Sequence, residues 1–152
     1  MTDARTGQRG RIGIDVVHLG RLDRMHDELG TLLEARVWHP DERRAGEGMN
    51  AADRLRYLAA SLAAKEAWIK AAGRRPAGWV FSDASLVPGA ADLGDAADAA
   101  DVIAAFAQDM LTTAPEIGCL HADRRNGSRT LHAGQRAWYG IHDEWLIAGV
   151  SS

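Results

Sequence analysis

Tyr57-Leu58-Ala59-Ala60-Ser61-Leu62-Ala63-Ala64-Lys65-Glu66-Ala67-Trp68-Ile69-Lys70 is the stretch on which the fold turns. It lies within Ala51 to Ala72, a run rich in Ala and Leu, free of Gly and Pro, and followed by Gly73 where a helix cap belongs. The pattern predicts one long helix, with Leu55, Leu58 (or Ala59), Leu62 and Ile69 as its apolar stripe. Its last turns hold the only two lysines of the chain; the other 16 of the 18 basic residues are arginine. Lysine delivers a compact point charge that suits a crowded phosphate site, whereas arginine presents a wide planar fork. Cation, carboxylate and cation on one helix form a set able to bind a metal ion and a polyphosphate together. The plain alternative is a solvated helix face on which Glu66 and Lys70 make an i,i+4 pair of ~0.3–0.5 kcal/mol.

Upstream, Arg11-Ile12-Gly13-Ile14-Asp15-Val16-Val17 predicts a short buried strand with one embedded carboxylate. Asp15 must be paired, metal-bound or at an exposed strand end, where it could also cap the next helix. Gly13 allows another backbone or a ligand to come close. His18 to Leu29 predicts a helix, with Leu19, Leu22, Met25 and Leu29 on one face, Arg21 and Arg24 on another, and Gly30 as its stop. A short helix starts at Pro40.

Downstream, Gly78 to Val87 predicts a strand and Ala96 to Leu111 a helix preceded by a loop. Glu116 to His121, Ser128 to His132, Arg136 to Ile141 and Trp145 to Val150 predict further strands, the first two of these joined by an Asn126-Gly127 turn. The fold class is α+β, a long helix packed on an antiparallel sheet. Residues 1–152 form a single domain, with Met1 to Gly10 as a disordered leader.

The bulk numbers exclude several function classes. Net charge is −3, which argues against a general nucleic-acid binder. No apolar run reaches the length of a membrane span. The lone Cys119 makes no internal disulfide, so a reducing compartment fits, with cytoplasm as the default. Cys119 itself is expected to be a small buried apolar residue. His26, His39, His121 and His132 show no metal-ligand spacing, and the five tryptophans are expected in the core and at interfaces.

If the first strand packs beside the long helix, Asp15 and Glu66 converge. Gly-Ile-Asp followed about fifty residues later by Lys-Glu-Ala-x-x-Lys resembles the phosphopantetheinyl transferases of the holo-acyl-carrier-protein synthase type. Arg21 falls where that family has its arginine. Arg36-Val37-Trp38-His39-Pro40-Asp41-Glu42 is similar to its Arg-Val-Phe-Thr-x-x-Glu segment, and Tyr57 to Ala67 to its Leu-Ala-x-Arg-Phe-Ala-Ala-Lys-Glu-Ala helix. Ile141-His142-Asp143 and Ile147-Ala148-Gly149-Val150 resemble its Ser-His-Asp turn and final strand.

The resemblance implies transfer of 4′-phosphopantetheine from coenzyme A to a serine of an apo acyl or peptidyl carrier protein. Asp15 and Glu66 would hold Mg2+, Glu66 would be the base, and Lys70 would complete the catalytic set. Lys65, Lys70 and His142 would neutralise coenzyme A phosphates. Arg21 and Arg24 would face the carrier protein, and the assembly would be a homotrimer.

The chain departs from the family at four places. His18 stands where a glutamate is usual, and imidazole is a poor Mg2+ ligand. Ser61-Leu62 replaces Arg-Phe, Ile141 replaces the serine, and the Gly-Lys/Arg-Pro turn has no equivalent between Val87 and Gly140. These departures imply an altered phosphate or carrier site. They sustain a second expectation, a repurposed member that binds a carrier protein or its acyl intermediate. A third is a plain interaction subunit.

Overall fold

The computed structural model describes residues 11–75, 77–88, 116–122 and 135–151. Strand β1 (Ile12–His18) runs directly into helix α1 (Leu19–Leu29), followed by α2 (Thr31–Val37), α3 (Pro40–Glu47) and the long α4 (Ala51–Ala72). A single 3-10 turn at Phe81–Asp83 leads into β2 (Ala84–Pro88); β3 (Glu116–Ala122), β4 (Gln135–His142) and β5 (Trp145–Ser151) complete the described elements. The strand order is β1-β5-β4-β3-β2, and every pairing is antiparallel. No described helix is long and apolar enough to cross a membrane.

The expected architecture is present: α4 lies across one face of the antiparallel sheet. Asn50 caps its start by accepting a bond from the Asp53 amide at 2.9 Å, and Gly73 ends it with φ 80°, a left-handed turn that suits glycine. The buried surface of α4 is broader than the leucine stripe. Ala59, Ala60, Ala63, Ala64 and Ala67 are all fully buried, against Leu86, Leu120, Ala137, Leu146, Ala148 and Val150 of the sheet. Small side chains on the helix bring the sheet close. At the tightest point a Cβ on Gly13 would lie 1.7 Å from the Ala67 carbonyl oxygen, so only glycine permits β1 to cross α4 there.

The strand alternation has a consequence for the other face. Gly13, Asp15 and Val17 point toward α4, while Ile12, Ile14 and Val16 point outward and stay exposed. On that outer face the Trp138 ring lies over Gly149, where a Cβ would meet it at 1.8 Å.

Two expectations change. Gly30 does not simply stop a helix: it ends α1 and begins α2, an element the sequence pattern did not predict. The strand predicted from Gly78 begins at Ala84. Asp83 accepts a bond from the Val80 amide and donates its own amide to the Val80 carbonyl, both at 3.0 Å, which closes a tight turn instead. Trp79 is buried there between Trp68, at 5.5 Å, and Phe81, at 5.2 Å. The Met1 to Gly10 leader, the Ala96 to Leu111 helix, the Asn126-Gly127 turn and the Ser128 to His132 strand lie outside the described residues.

Candidate functional site

The close crossing of β1 over α4 at Gly13 fixes what happens two residues later. Asp15 faces the helix beside Glu66 and Lys70, which sit one turn apart on α4. Lys70 Nζ donates to Asp15 Oδ1 at 2.6 Å and to the Ile14 carbonyl at 3.1 Å. The i,i+4 pair of Glu66 with Lys70 is therefore replaced by a pairing across 55 residues of sequence. No hydrogen bond from the described residues holds the Glu66 carboxylate. Burial, and then the negative charge of Asp15, push its pKa up; Lys70 and Arg75 pull the other way.

The sign of that shift makes a prediction. A carboxyl group whose folded-state pKa is raised opposes folding above that pKa and costs nothing below the unfolded value, near ~4.3 for glutamate. In buffer freed of divalent ions, Glu66→Gln is expected to raise the thermal midpoint at neutral pH. The gain should vanish as the pH falls through the glutamate range. Circular-dichroism melts across pH check this; equal midpoints at pH 7 would refute it.

A cavity of about 650 Å³ opens beside these groups. Asp15 and Glu66 form its polar end, Arg21 and Arg24 of α1 another wall, and Leu62 and Trp145 its apolar lining. His18 also lines it, yet both ring nitrogens are engaged elsewhere. Nδ1 accepts the Arg21 amide at 3.2 Å, making His18 the N-cap of α1, and Nε2 faces Glu144 Oε2 at 3.3 Å. The capping role considered for Asp15 thus belongs to His18. Trp145 meets the imidazole edge-on at 4.8 Å, and the Leu19 amide bonds to the Glu144 carbonyl at 2.8 Å. The turn between β4 and β5 is in this way tied to the strand–helix junction.

Of the expected site residues, Asp15, Glu66, Lys70, Arg21, Arg24 and His18 come together around this cavity. His142 does not line it; it is exposed at the end of β4, 3.5 Å from Asp143. Lys65 requires a correction. It is a buried structural residue and not a phosphate ligand, because its side chain has no exposed surface and Nζ is spent on Glu42 Oε2 at 2.6 Å and the Val37 carbonyl at 2.9 Å. Glu42 is equally buried and also accepts from Ser61 Oγ, the Leu86 amide at 2.7 Å and the His39 amide at 2.9 Å. Burial pushes the Lys65 pKa down, and the Glu42 charge opposes it.

Two groups near the site escaped the sequence reading. Glu144 anchors His18 from a turn far along the chain. Arg75 bonds to the Trp79 carbonyl at 3.0 Å and lies over the Trp79 and Phe81 rings at 5.7 and 5.4 Å, a fixed cation whose field reaches Glu66. Its place two residues after the helix cap was the available signal.

Among the described residues no three His, Cys, Asp or Glu side chains converge as a closed metal site. Two carboxylates with open positions are what remains. That donor set fits Mg2+, which keeps several waters and is completed by substrate phosphates.

The family model described as the 4′-phosphopantetheinyl transferase superfamily matches residues 11–86. No curated protein matches the sequence. Among solved structures, the fold is similar to a holo-(acyl-carrier-protein) synthase from Bacillus anthracis in complex with CoA (3′,5′-ADP). The TM-score is 0.59 at 21% identity, over 93% of this chain and 93% of that one. It is similar also to the holo-[acyl-carrier-protein] synthase of Neisseria meningitidis, with TM-score 0.54 and 20% identity, over 93% and 95% of the two chains. An ACPS–CoA complex from Chronobacterium ammoniagenes gives 0.55 and 20%, over 95% and 96%. At such identities the likeness is one of fold.

Proposed function

This chain belongs to the 4′-phosphopantetheinyl transferase superfamily, and on that premise we propose that it moves 4′-phosphopantetheine from coenzyme A to a serine of an apo acyl or peptidyl carrier protein. The observation that carries this reading is the convergence of Asp15, Glu66 and Lys70 at the mouth of a cavity flanked by Arg21 and Arg24.

In this reading the serine oxygen attacks the phosphorus that bears the pantetheine arm. The bond from that phosphorus to the 3′,5′-ADP oxygen breaks, and 3′,5′-ADP leaves. Glu66, directly or through a water, takes the serine proton; its raised pKa makes it a stronger base than an exposed glutamate. Lys70, half-exposed, supplies positive charge to the phosphates while holding Asp15 in place. Asp15 and Glu66 would hold Mg2+, which when bound supplies charge stabilisation to the pyrophosphate. His18 orients α1 and its arginines rather than serving as a metal ligand.

The assembly proposed is a cyclic homotrimer with its sites between protomers. The outward row of Ile12 at 43%, Ile14 at 38% and Val16 at 49% exposure, with Trp145 at 44%, is the apolar surface a second copy would cover. His142 stands on that same face, on the rung it shares with Trp145 and His18. The cytoplasm is the compartment that fits a single buried thiol.

A second reading retains carrier binding without transfer. The specific observation favouring it is Lys70 bridging Asp15 and the Ile14 carbonyl, a closed pair that a metal ion must reopen.

Intact-protein mass spectrometry tests both readings. An apo carrier protein is incubated with this protein, coenzyme A and Mg2+. A gain of one phosphopantetheine is expected. Several carriers left unmodified, beside a competent transferase as control, would leave the second reading. Native spectra should show three times the chain mass; a monomer would overturn the trimer.

A further inference from the structure

The cavity beside Glu66 is short of positive charge for the substrate it would hold. Coenzyme A brings a diphosphate and a 3′-phosphate, and a phosphomonoester alone carries about −1.5 to −2 at neutral pH. Of the cations expected to meet these groups, Lys65 is spent inside the protein on Glu42, His142 does not line the cavity, and Lys70 is engaged by Asp15. One further cation stands just past the end of α4, and it is already held in place.

That cation is Arg75. Gly73 ends the helix with φ 80°, Gly78 takes φ 73°, and Trp79 is buried against Trp68. Between these anchors Arg75 Nε donates to the Trp79 carbonyl at 3.0 Å, and the guanidinium lies over the Trp79 and Phe81 rings at 5.7 and 5.4 Å. A planar fork restrained in this way gives up little freedom when it binds an anion. The side chain is exposed, and its two terminal nitrogens have no hydrogen-bond or ion-pair partner among the described residues. The acid of the same turn, Asp83, accepts from the Val80 amide at 3.0 Å. Glu66 lies near enough to feel the Arg75 charge without bonding to it. Arg11 reaches over Gly73, and exposed Arg74 adds to the positive field.

Leu62, Glu66 and Lys70 follow one another at steps of four along α4, from the cavity toward Arg75. Arg21 and Arg24 stand at the cavity end. A carrier serine and the pantetheine arm therefore meet at that end, and the nucleotide end of coenzyme A extends past Lys70. We propose that Arg75 reads the 3′-phosphate of that nucleotide, its two terminal nitrogens pairing with two phosphate oxygens. It is a specificity residue that touches the substrate away from the reacting atoms. This inference rests on the coenzyme A reading above and deepens it, by naming the residue that separates coenzyme A from its 3′-dephospho form.

Isothermal titration calorimetry in the presence of Mg2+ compares 3′,5′-ADP with AMP, which lacks only the 3′-phosphate. The full chain is used as native protein, Arg75→Gln and Arg74→Gln. The native protein is expected to bind 3′,5′-ADP about tenfold more tightly than AMP, as one charge-assisted pair at an exposed side chain allows. Arg75→Gln should abolish that preference, whereas Arg74→Gln, the same charge change one residue away, should keep it. The preference is a ratio within one protein, so a general loss of stability does not mimic the effect. In transfer assays Arg75→Gln is expected to raise the KM for coenzyme A about tenfold and to leave the KM for 3′-dephospho-coenzyme A in place. A preference that survives Arg75→Gln overturns the proposal. So does a preference lost equally in Arg74→Gln, the mark of a diffuse field, or a native protein that binds the two nucleotides alike or binds neither. A native preference that Arg75→Gln removes, without transfer to any carrier, keeps the role of Arg75 and rejects the transferase reading. Transfer with equal KM for coenzyme A and its 3′-dephospho form does the reverse.

Discussion

Glu66→Gln is expected to lower the turnover of carrier modification by roughly 10²–10⁴-fold, the range typical of removing a positioned general base. The fold should survive, because no hydrogen bond from the described residues depends on this carboxylate. Glutamine keeps the shape and loses both the base and the anionic metal ligand. Coenzyme A should still bind, since Lys70 remains to meet its phosphates. Single-turnover assays with saturating coenzyme A separate the two effects. A variant that transfers at the native rate would remove Glu66 from the mechanism and shift attention to Asp15.

The second large effect is on stability. Lys65→Met removes the ammonium from a pair in which both side chains are fully buried, and leaves the Glu42 carboxylate without a countercharge. Breaking a buried ion pair on one side costs about 3–5 kcal/mol. For a domain of this size that corresponds to a fall of roughly 10 °C in the thermal midpoint. Removing both charges, with Lys65→Met and Glu42→Gln together, should recover part of it, because the glutamine oxygen can still accept from Ser61 and the Leu86 amide, while the bond from the His39 amide is lost. Thermal melts of the two variants decide between roles. A phosphate-binding Lys65 would instead show lost coenzyme A affinity with an unchanged midpoint.

How far the sequence revealed this site can be read from the two lysines. Lys70 does lie beside Asp15, but that partner was not legible. An i,i+4 neighbour is visible in sequence, whereas Asp15 comes within reach only once Gly13 lets β1 cross α4. Lys65 was misplaced because lysine is almost never fully buried unless paired. The signal lay in the spacing: Tyr57, Ser61, Lys65 and Trp68 recur at steps of four, four and three, and all four are buried. The long helix and the sheet were legible because α4 has no breaker across 22 residues and the final strands are short apolar runs on either side of the His142-Asp143-Glu144 turn. Helix α2 was not, because Gly30 serves as an end and a beginning at once. The role of His18 as a cap depended on Glu144, whose proximity only the β4–β5 turn creates.

The strand order has a further consequence, for the order in which the chain acquires structure during synthesis. In the described sheet β1 pairs with β5 alone, Ile12 opposite Ser151. A ribosome therefore releases β1 and all of α4 well before the strand that completes the edge has been made. In that interval β1 can dock on the helix through Gly13, but its ladder of amides and carbonyls stays open, next to the apolar side chains of Ile12, Ile14 and Val16. Unpaired edges of this kind template association with other chains. Pairings between distant segments also close slowly. The nascent protein is thus open to aggregation at β1 until β5 emerges, and co-expression with a chaperone that shields extended apolar segments should act on yield rather than on activity per molecule.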